Sequence, residues 1–485
     1  MRSKGRVLVV CASDCNRRGM EDAGVRRLAE PVFHDYDDRL HRALLHGPSW
    51  AREQERRDPG LFDLERLVDE VVELGRRESV DGVVVTQDYP GALAASFAAR
   101  RLGLPGPAPA AVVACQHKYL SRLLQRRLVP AATPPFARLA PLPPEAAAAD
   151  PLRGQPPLPL PAFAKPVRAN YSFGAGRVDT ETELAAGRRL CALPEAYLRP
   201  LAQALERTAG EPPLAGALGD LVPGGDDGTG DLLLERLLTG DQVTLEGIAA
   251  GGEVLPLAVV DSHFLPGTLS FASFRYPSRL PAAAQDAAWD VVRRLVRGVG
   301  FDGGLFNVEM IWDREAGRPW ILEINPRMCS QWADLLGTVD GVNTYEHAVR
   351  VALGLPVEVR RGAGRHAVGA SFPLRSREDL RAESVPTAAE LRAAEARVGG
   401  IEAYVYAASG RRLSELEQVQ DGYSWCYGRV NAAAADEAEL EAKLARFLAE
   451  IPLRFAAGDG DQYFIARPIV KPSTRSKTGG TAPFS

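Results

Sequence analysis

The sequence predicts an α/β protein of several domains, and three observations carry that expectation. Short apolar runs alternate with amphipathic helical patterns through the first hundred residues. Pro/Ala-rich and Gly-rich stretches then break the chain into segments. Around residue 310 two apolar runs flank a polar, Gly-containing turn, the signal of a β-hairpin. At 485 residues the chain has length for roughly three domains. Its 46% hydrophobic and 25% charged residues are an ordinary globular composition with ample core material. A net charge of -4 supplies no basic surface for nucleic acid or anionic lipid, so neither is an expected partner. No apolar run reaches membrane-spanning length and the start of the chain lacks a signal-peptide pattern, so a cytoplasmic enzyme is expected. The six cysteines are scattered without metal-ligand spacing; Cys11 and Cys15 have no His or Cys partner set beside them.

In chain order, 7–11 reads as a buried strand and 61–76 as an amphipathic helix with its Leu and Val residues largely on one face. A second strand at 82–86 and an Ala-rich helix at 91–102, closed by Gly103 and Pro105, complete a pattern that favours a parallel sheet. No Gly-x-Gly-x-x-Gly follows the first strand, so dinucleotide binding is not expected there. A short helix at 118–128 leads into low-complexity sequence at 137–161, read as a linker or surface insertion. After a strand at 163–167 comes a loop at 223–230. Asp226 and Asp227 in it lack the order of calcium ligands and read as a solvated turn. A strand at 232–235, two further strands, a helix at 284–299 and the hairpin follow. An α/β segment runs on to about 468, with an amphipathic helix at 437–451, before a polar tail expected to be disordered.

The hairpin, GLFNVEMIWDREAGRPWILEINPR at 304–327, is the informative stretch. Strand side chains alternate faces. Phe306, Val308, Met310, Trp312, Trp320, Leu322 and Ile324 form an apolar face assigned to the core. The other face carries Asn307, Glu309, Glu323, Asn325 and Arg327. A turn centred on Ala316 sets Glu309 opposite Glu323 and Asn307 opposite Asn325. Two carboxylates facing across a ladder repel, and burying them is costly without a cation or proton between them. Such an oxygen-rich set suits Mg²⁺. Arg327 lies on the same face and can donate two hydrogen bonds to a phosphate.

The pattern Asn307-Val308-Glu309 with Glu323-Ile324-Asn325-Pro326-Arg327 resembles the metal-and-phosphate hairpin of the ATP-grasp superfamily. The two lysines between Lys4 and Lys443 fall where that family places ammonium groups: Lys118 in HKYLSRLL and Lys165 in FAKPV. In a chain whose basic residues are nearly all Arg, retaining them suggests a need for compact point charges. The resemblance implies a Rossmann-like pre-ATP-grasp domain over 1–115. It implies a linker helix and α+β lid over 116–235, a catalytic subdomain over 236–360 and a C-terminal α/β subdomain over 361–470. By the same resemblance Lys118, Lys165, the hinge at Glu235 and Leu238, and Asp241 or Gln242 at the ribose would hold ATP. Glu309, Glu323 and Asn325 would hold Mg²⁺, with Mn²⁺ an alternative. Arg327 and Lys165 would act on the phosphoryl group. The lid loop at 168–176 departs from the family in carrying fewer glycines and bulky Tyr171 and Phe173.

The activity so implied is activation of a carboxylate as an acyl phosphate, then its capture by an amine, as in the carboxylate–amine (L-amino acid) ligases. The partners are then small-molecule acids and amines, with a homodimer left open. Arg275 and Arg279 are candidate substrate clamps and Trp332 a candidate pocket wall, while His263 reads as structural or surface. A biotin carboxylase-like carboxylation and a non-catalytic nucleotide-binding protein are the rival readings.

Overall fold

A computed structural model describes residues 5–36, 62–142, 156–170, 172–191, 193–215, 228–416 and 423–456, with a few isolated positions between 53 and 60. Leu61, Tyr171, Asp226, Asp227, the middle of the Pro/Ala-rich stretch and the tail lie outside the described residues.

The first domain comprises β1 (Gly5–Val10), α1 (Asp14–Asp22), β2 (Ala29–Phe33), α2 (Leu64–Arg77), β3 (Gly82–Val85), α3 (Gly91–Leu102) and α4 (Pro109–Gln116). Its three strands are parallel in the order β2-β1-β3. Val7 to Val10 are wholly buried, because helices cover both faces of a parallel sheet. The side chain of Asp63 accepts from the backbone N–H groups of Glu65 and Arg66 and starts α2. That helix then buries Leu64, Leu67, Val68, Val71 and Val72. α3 and the next helix, α5 (Lys118–Leu128), run over the expected spans.

The lid follows: β4 (Phe136–Leu139), β5 (Ala162–Pro166), β6 (Gly176–Val178), α6 (Glu181–Leu190), α7 (Glu195–Thr208) and β7 (Leu232–Arg236). Its antiparallel sheet has the order β4-β7-β5-β6. The rest of the described chain is built on one eight-stranded antiparallel sheet. Its strands are β8 (Asp241–Ala250), β9 (Glu253–Phe264), β10 (Phe271–Tyr276), β11 (Gly304–Asp313), β12 (Arg318–Asn325), β13 (Val368–Ser376), β15 (Ile401–Val405) and β16 (Trp425–Ala434). Their order is β12-β11-β8-β9-β10-β13-β16-β15. The segments before and after residue 360 therefore share a sheet, joined where Phe274 pairs with Ser371. α8 (Ala282–Gly298), α9 (Ala333–Asp340), α10 (Thr344–Ala352), α11 (Ala388–Val398) and α12 (Glu437–Glu450) accompany it, and the small strands β14 (Arg381–Ser384) and β17 (Arg454–Ala456) pair separately. Among the described residues no helix is long and apolar enough to cross a membrane.

One core residue on α10 makes stability depend on pH. His347 is buried, its Nδ1 has no hydrogen-bond partner, and burial pushes its pKa down from 6.5 to about 4, against opposing pulls from Glu346 and Asp340 and a further push from Arg350 and Arg361. The folded imidazole thus stays neutral where the unfolded one is already protonated. Stability should be complete above about pH 6.5 and fall by about 3 kcal/mol as pH drops to about 4. Thermal melts across that range should show this loss, and His347→Gln should flatten it.

Candidate active site

Hairpin register places the chemistry. Asn307 pairs with Asn325 and Glu309 with Glu323, as alternation predicts. Nearer the turn the register differs by one: Met310 pairs with Ile321 and Ile311 with Trp320. Leu322 is the extra residue of a bulge that reconciles the two registers. The bulge corrects the expected apolar face. Ile321 is wholly buried in the core, whereas Leu322 lines the cavity described below. Trp320 leaves that face too. Its indole N–H donates to Asp313 and its ring carries the guanidinium groups of Arg318, 4.0 Å away, and Arg236.

β8 extends the polar face by a strand, since Glu246 pairs with Asn307 and Thr244 with Glu309. Two polar rows result across these three strands. Asn325 donates to Asn307 at 2.8 Å and lies 3.4 Å from Glu309, while Gln242 donates to the other oxygen of Glu309 at 3.2 Å. Neither partner is cationic. Burial and the facing charge of Glu323 raise the Glu309 carboxyl to about 7. Glu323 is also penalised by burial, yet Lys118, Lys165, Arg168 and Arg327 outweigh that and hold it below the ordinary carboxylate range. The pair divides into one carboxylate that cations outbalance and one in which burial and its neighbour's charge outweigh the pull of Arg327 and Lys165. A divalent ion suits that second carboxylate. Two carboxylates and an amide oxygen are too few for six-coordinate Mg²⁺, whose remaining ligands would be phosphate and water oxygens.

The ammonium groups converge on the same place. Lys165, on β5, sits 2.9 Å from Glu235 and donates to the bulge carbonyl of Leu322 at 3.1 Å. Lys118, at the start of α5, donates to the Ala169 carbonyl at 2.9 Å and lies 3.5 Å from Glu323. Lys118, Lys165, Glu235, Leu238, Asp241, Gln242, Glu309 and Glu323 all line one cavity of about 1420 Å³ between the lid and the large sheet. Asn325 and Arg327 lie beside it, one row deeper along the hairpin. The late-chain Lys443, by contrast, bonds the Ala433 carbonyl and Glu439 on α12, remote from this cluster.

Other expectations need correction. Arg275 does not face the cavity: it is paired with Glu437 and Glu441 of α12 and stacks over Phe372. Arg279 reaches the cavity rim but is also paired with Glu437, at 3.0 Å. Trp332 is no wall; it is buried against Phe274 and its indole N–H donates to Glu246. Asp241 is tied to Arg314, and Gln242 to Glu309. Glu235 spends its carboxylate on Arg122 and Lys165, and the loop at 237–240 that follows borders the cavity. His263 is exposed on the cavity rim.

Four residues escaped the sequence reading. Arg122, one helical turn after Lys118, pairs with Glu235 and donates to the Leu322 carbonyl. Asp88, just beyond the carboxyl end of β3, accepts from Arg168 at 2.9 Å and lies 3.9 Å from Arg327. Arg168 also stacks 4.2 Å over Tyr89, which fixes the start of the lid loop to the first domain. Glu246 accepts from the Cys329 N–H at 2.8 Å and from Trp332, so it positions the loop after Arg327. Burial raises its carboxyl to about 8. Polar residues at every second position of β8 (Gln242, Thr244, Glu246) were the available signal for the last.

No protein-family model matches the chain. An uncharacterised protein of Sinorhizobium fredii, y4rH, is 27% identical over 146 residues, a match that spans 29% of this chain and 29% of that protein. Solved structures match over nearly the whole length. The L-amino acid ligase from Bacillus licheniformis superposes with a TM-score of 0.65 at 16% identity, covering 95% of this chain and 100% of that one. N5-carboxyaminoimidazole ribonucleotide synthetase from Thermus thermophilus gives 0.53 at 18% identity, over 93% and 92%. Biotin carboxylase from Campylobacter jejuni, solved with β,γ-ATP, gives 0.56 at 13% identity, over 93% and 92%. At these identities the likeness is one of fold.

Proposed function

We propose that this chain, which has the ATP-grasp fold, is a magnesium-dependent ligase that activates a carboxylate with ATP and joins it to an amine. The observation that carries the proposal is the Glu309–Glu323 pair, set in a cavity beside the two interior lysines. The pair supports a metal and nucleotide site, and ATP turnover separates a ligase from a non-catalytic nucleotide-binding protein.

The residues divide the work as follows. Lys165 has three N–H donors, of which Glu235 and the Leu322 carbonyl engage two; the third is left for a phosphate oxygen. Burial lowers the pKa of Lys118, a cation on the same cavity whose charge a triphosphate would restore. Glu309, Glu323 and Asn325 are the residues that would hold magnesium, which when bound neutralises charge on the phosphates. Arg327 has Asp88 3.9 Å away as a counter-charge. Its donors would stabilise charge building on the transferred phosphoryl group.

In the first step a substrate carboxylate oxygen attacks the γ-phosphorus and ADP leaves with the bridging oxygen. In the second the amine nitrogen attacks the acyl carbon, orthophosphate leaves, and the nitrogen gives up a proton. The products are ADP and orthophosphate. Purified enzyme should therefore form ADP, not AMP, with a cognate acid. Hydroxylamine should trap the acyl phosphate as a hydroxamate without the natural amine. AMP as the sole nucleotide product would sink the proposal. ADP formed only with bicarbonate and biotin would transfer the chain to carboxylation.

A further inference from the structure

Beyond the hairpin, the large sheet carries a cationic side chain without an ion pair among the described residues. Arg429 lies on β16, opposite Tyr404 of β15 and Pro373 of β13. Its side chain stacks 4.5 Å over the Tyr404 ring. Among the described residues no hydrogen bond or ion pair engages its guanidinium, and its Nε is buried without a partner. Glu402 and Asp334 both feel its charge, but neither forms an ion pair with it among the described residues. Glu402 accepts from the Tyr404 hydroxyl at 2.6 Å and from Asn431 at 3.3 Å, and Arg18 lies 3.8 Å away. The residue as a whole is half-buried, so its guanidinium keeps a planar fork of donors that a ligand could complete.

A short chain of contacts links this side chain to the hairpin loop. Arg429 shares its sheet face with Asn431, two residues on, which donates to the Gln331 carbonyl at 2.9 Å. Gln331 belongs to the loop that leaves the hairpin at Arg327. Within that loop the Cys329 thiol feels both the Arg327 and the Arg429 charges. On the other side stands Cys15, in the first turn of α1, just past the carboxyl end of β1. Ligands of open parallel sheets bind at that end of the strands.

We propose that Arg429 anchors the carboxylate of the amine nucleophile, which makes that nucleophile an amino acid held by its α-carboxylate. The inference rests on the ligase reading above. Arg327 and the acidic pair serve the carboxylate that is activated, so a second guanidinium beyond the same loop fits a second carboxylate. The guanidinium fork matches the two carboxylate oxygens. The α-amino group, one carbon from that carboxylate, would then be the attacking nitrogen.

The test assays the twenty L-amino acids, singly and in pairs, with Mg·ATP and ADP readout, for wild type, Arg429→Gln and Arg429→Lys. For the pair turned over fastest, Arg429→Gln should raise the KM of the nucleophile at least tenfold. The KM of ATP and of the acid, and the melting temperature, should stay unchanged, and Arg429→Lys should recover part of the loss. Giving wild type the nucleophile as its amino-acid amide should cost a similar factor. That comparison needs no variant and stands even if Arg429→Gln fails to fold. Equal KM values for acid and amide nucleophiles, or a penalty that falls on the activated acid, overturn the anchor and leave the ligase reading intact. Should no pair turn over, calorimetry with each amino acid and Mg·ADP decides. Binding lost in Arg429→Gln supports the anchor, and binding absent or unaffected overturns it.

Discussion

Glu323→Gln should lower ATP turnover by at least about a hundredfold while leaving the fold intact. Two effects of opposite sign meet at this carboxylate. Removing its charge relieves Glu309, whose carboxyl is raised by burial and by Glu323, so Glu309 ionises more readily in the variant. The same change deprives Lys118 of an acid 3.5 Å away, in a pair whose Glu323 side chain is 31% exposed and so partly screened. The two terms roughly cancel, and the melting temperature of the ligand-free protein should hardly move. The metal site does not recover, because Glu309 alone with an amide is a poor cage for a divalent ion. Melts with and without Mg·ATP separate the effects. A normal Mg·ATP-induced rise in the variant would show that the hairpin does not hold the metal.

Glu235→Gln should be the most destabilising change near the cavity. Its carboxylate stands between the Arg122 and Lys165 cations, and the three side chains are 2–8% exposed. Burial pushes the carboxyl up, but the two cations more than offset that and hold it below the ordinary range. Its stabilising contribution is therefore full above the usual carboxylate pKa and fades as pH falls below it. Losing the charge strands two buried cations, at a cost of about 3–5 kcal/mol. The damage should centre on the lid, because the triad ties α5, β5 and β7 together. Hydrogen exchange should rise in those elements and ATP binding weaken. Adding Arg122→Met should restore much of the stability by removing one stranded charge, without restoring ATP use. Wild-type exchange across the lid in Glu235→Gln would refute the role given to the triad.

Both predictions depend on features of very different legibility. The facing of Glu309 and Glu323 was readable because hairpin pairing is local: a turn and a two-residue period are enough to oppose two side chains. The helix with strong apolar periodicity, α2, was readable for the same reason. The lysine argument needed only composition, and both interior lysines line the cavity.

The bulge at Leu322 was not readable, since nothing in the residues near the turn states that its register will slip by one before the acidic pair. Yet the bulge frees the carbonyl to which Lys165 and Arg122 donate. Partner choice was hidden as well. Arg275 reads as a free clamp until α12, some 160 residues later, brings Glu437 and Glu441 against it. Arg122 and Glu235, or Asp88 and Arg168, meet only after intervening elements have packed. By itself the sequence determined the hairpin, its facing acids and the order of the elements, because these follow from neighbours along one strand pair or one helix. Tertiary structure alone decided which charges meet in ion pairs and which, like Arg429, form none among the described residues, because an ion pair depends on distance in space and the chain does not encode that locally.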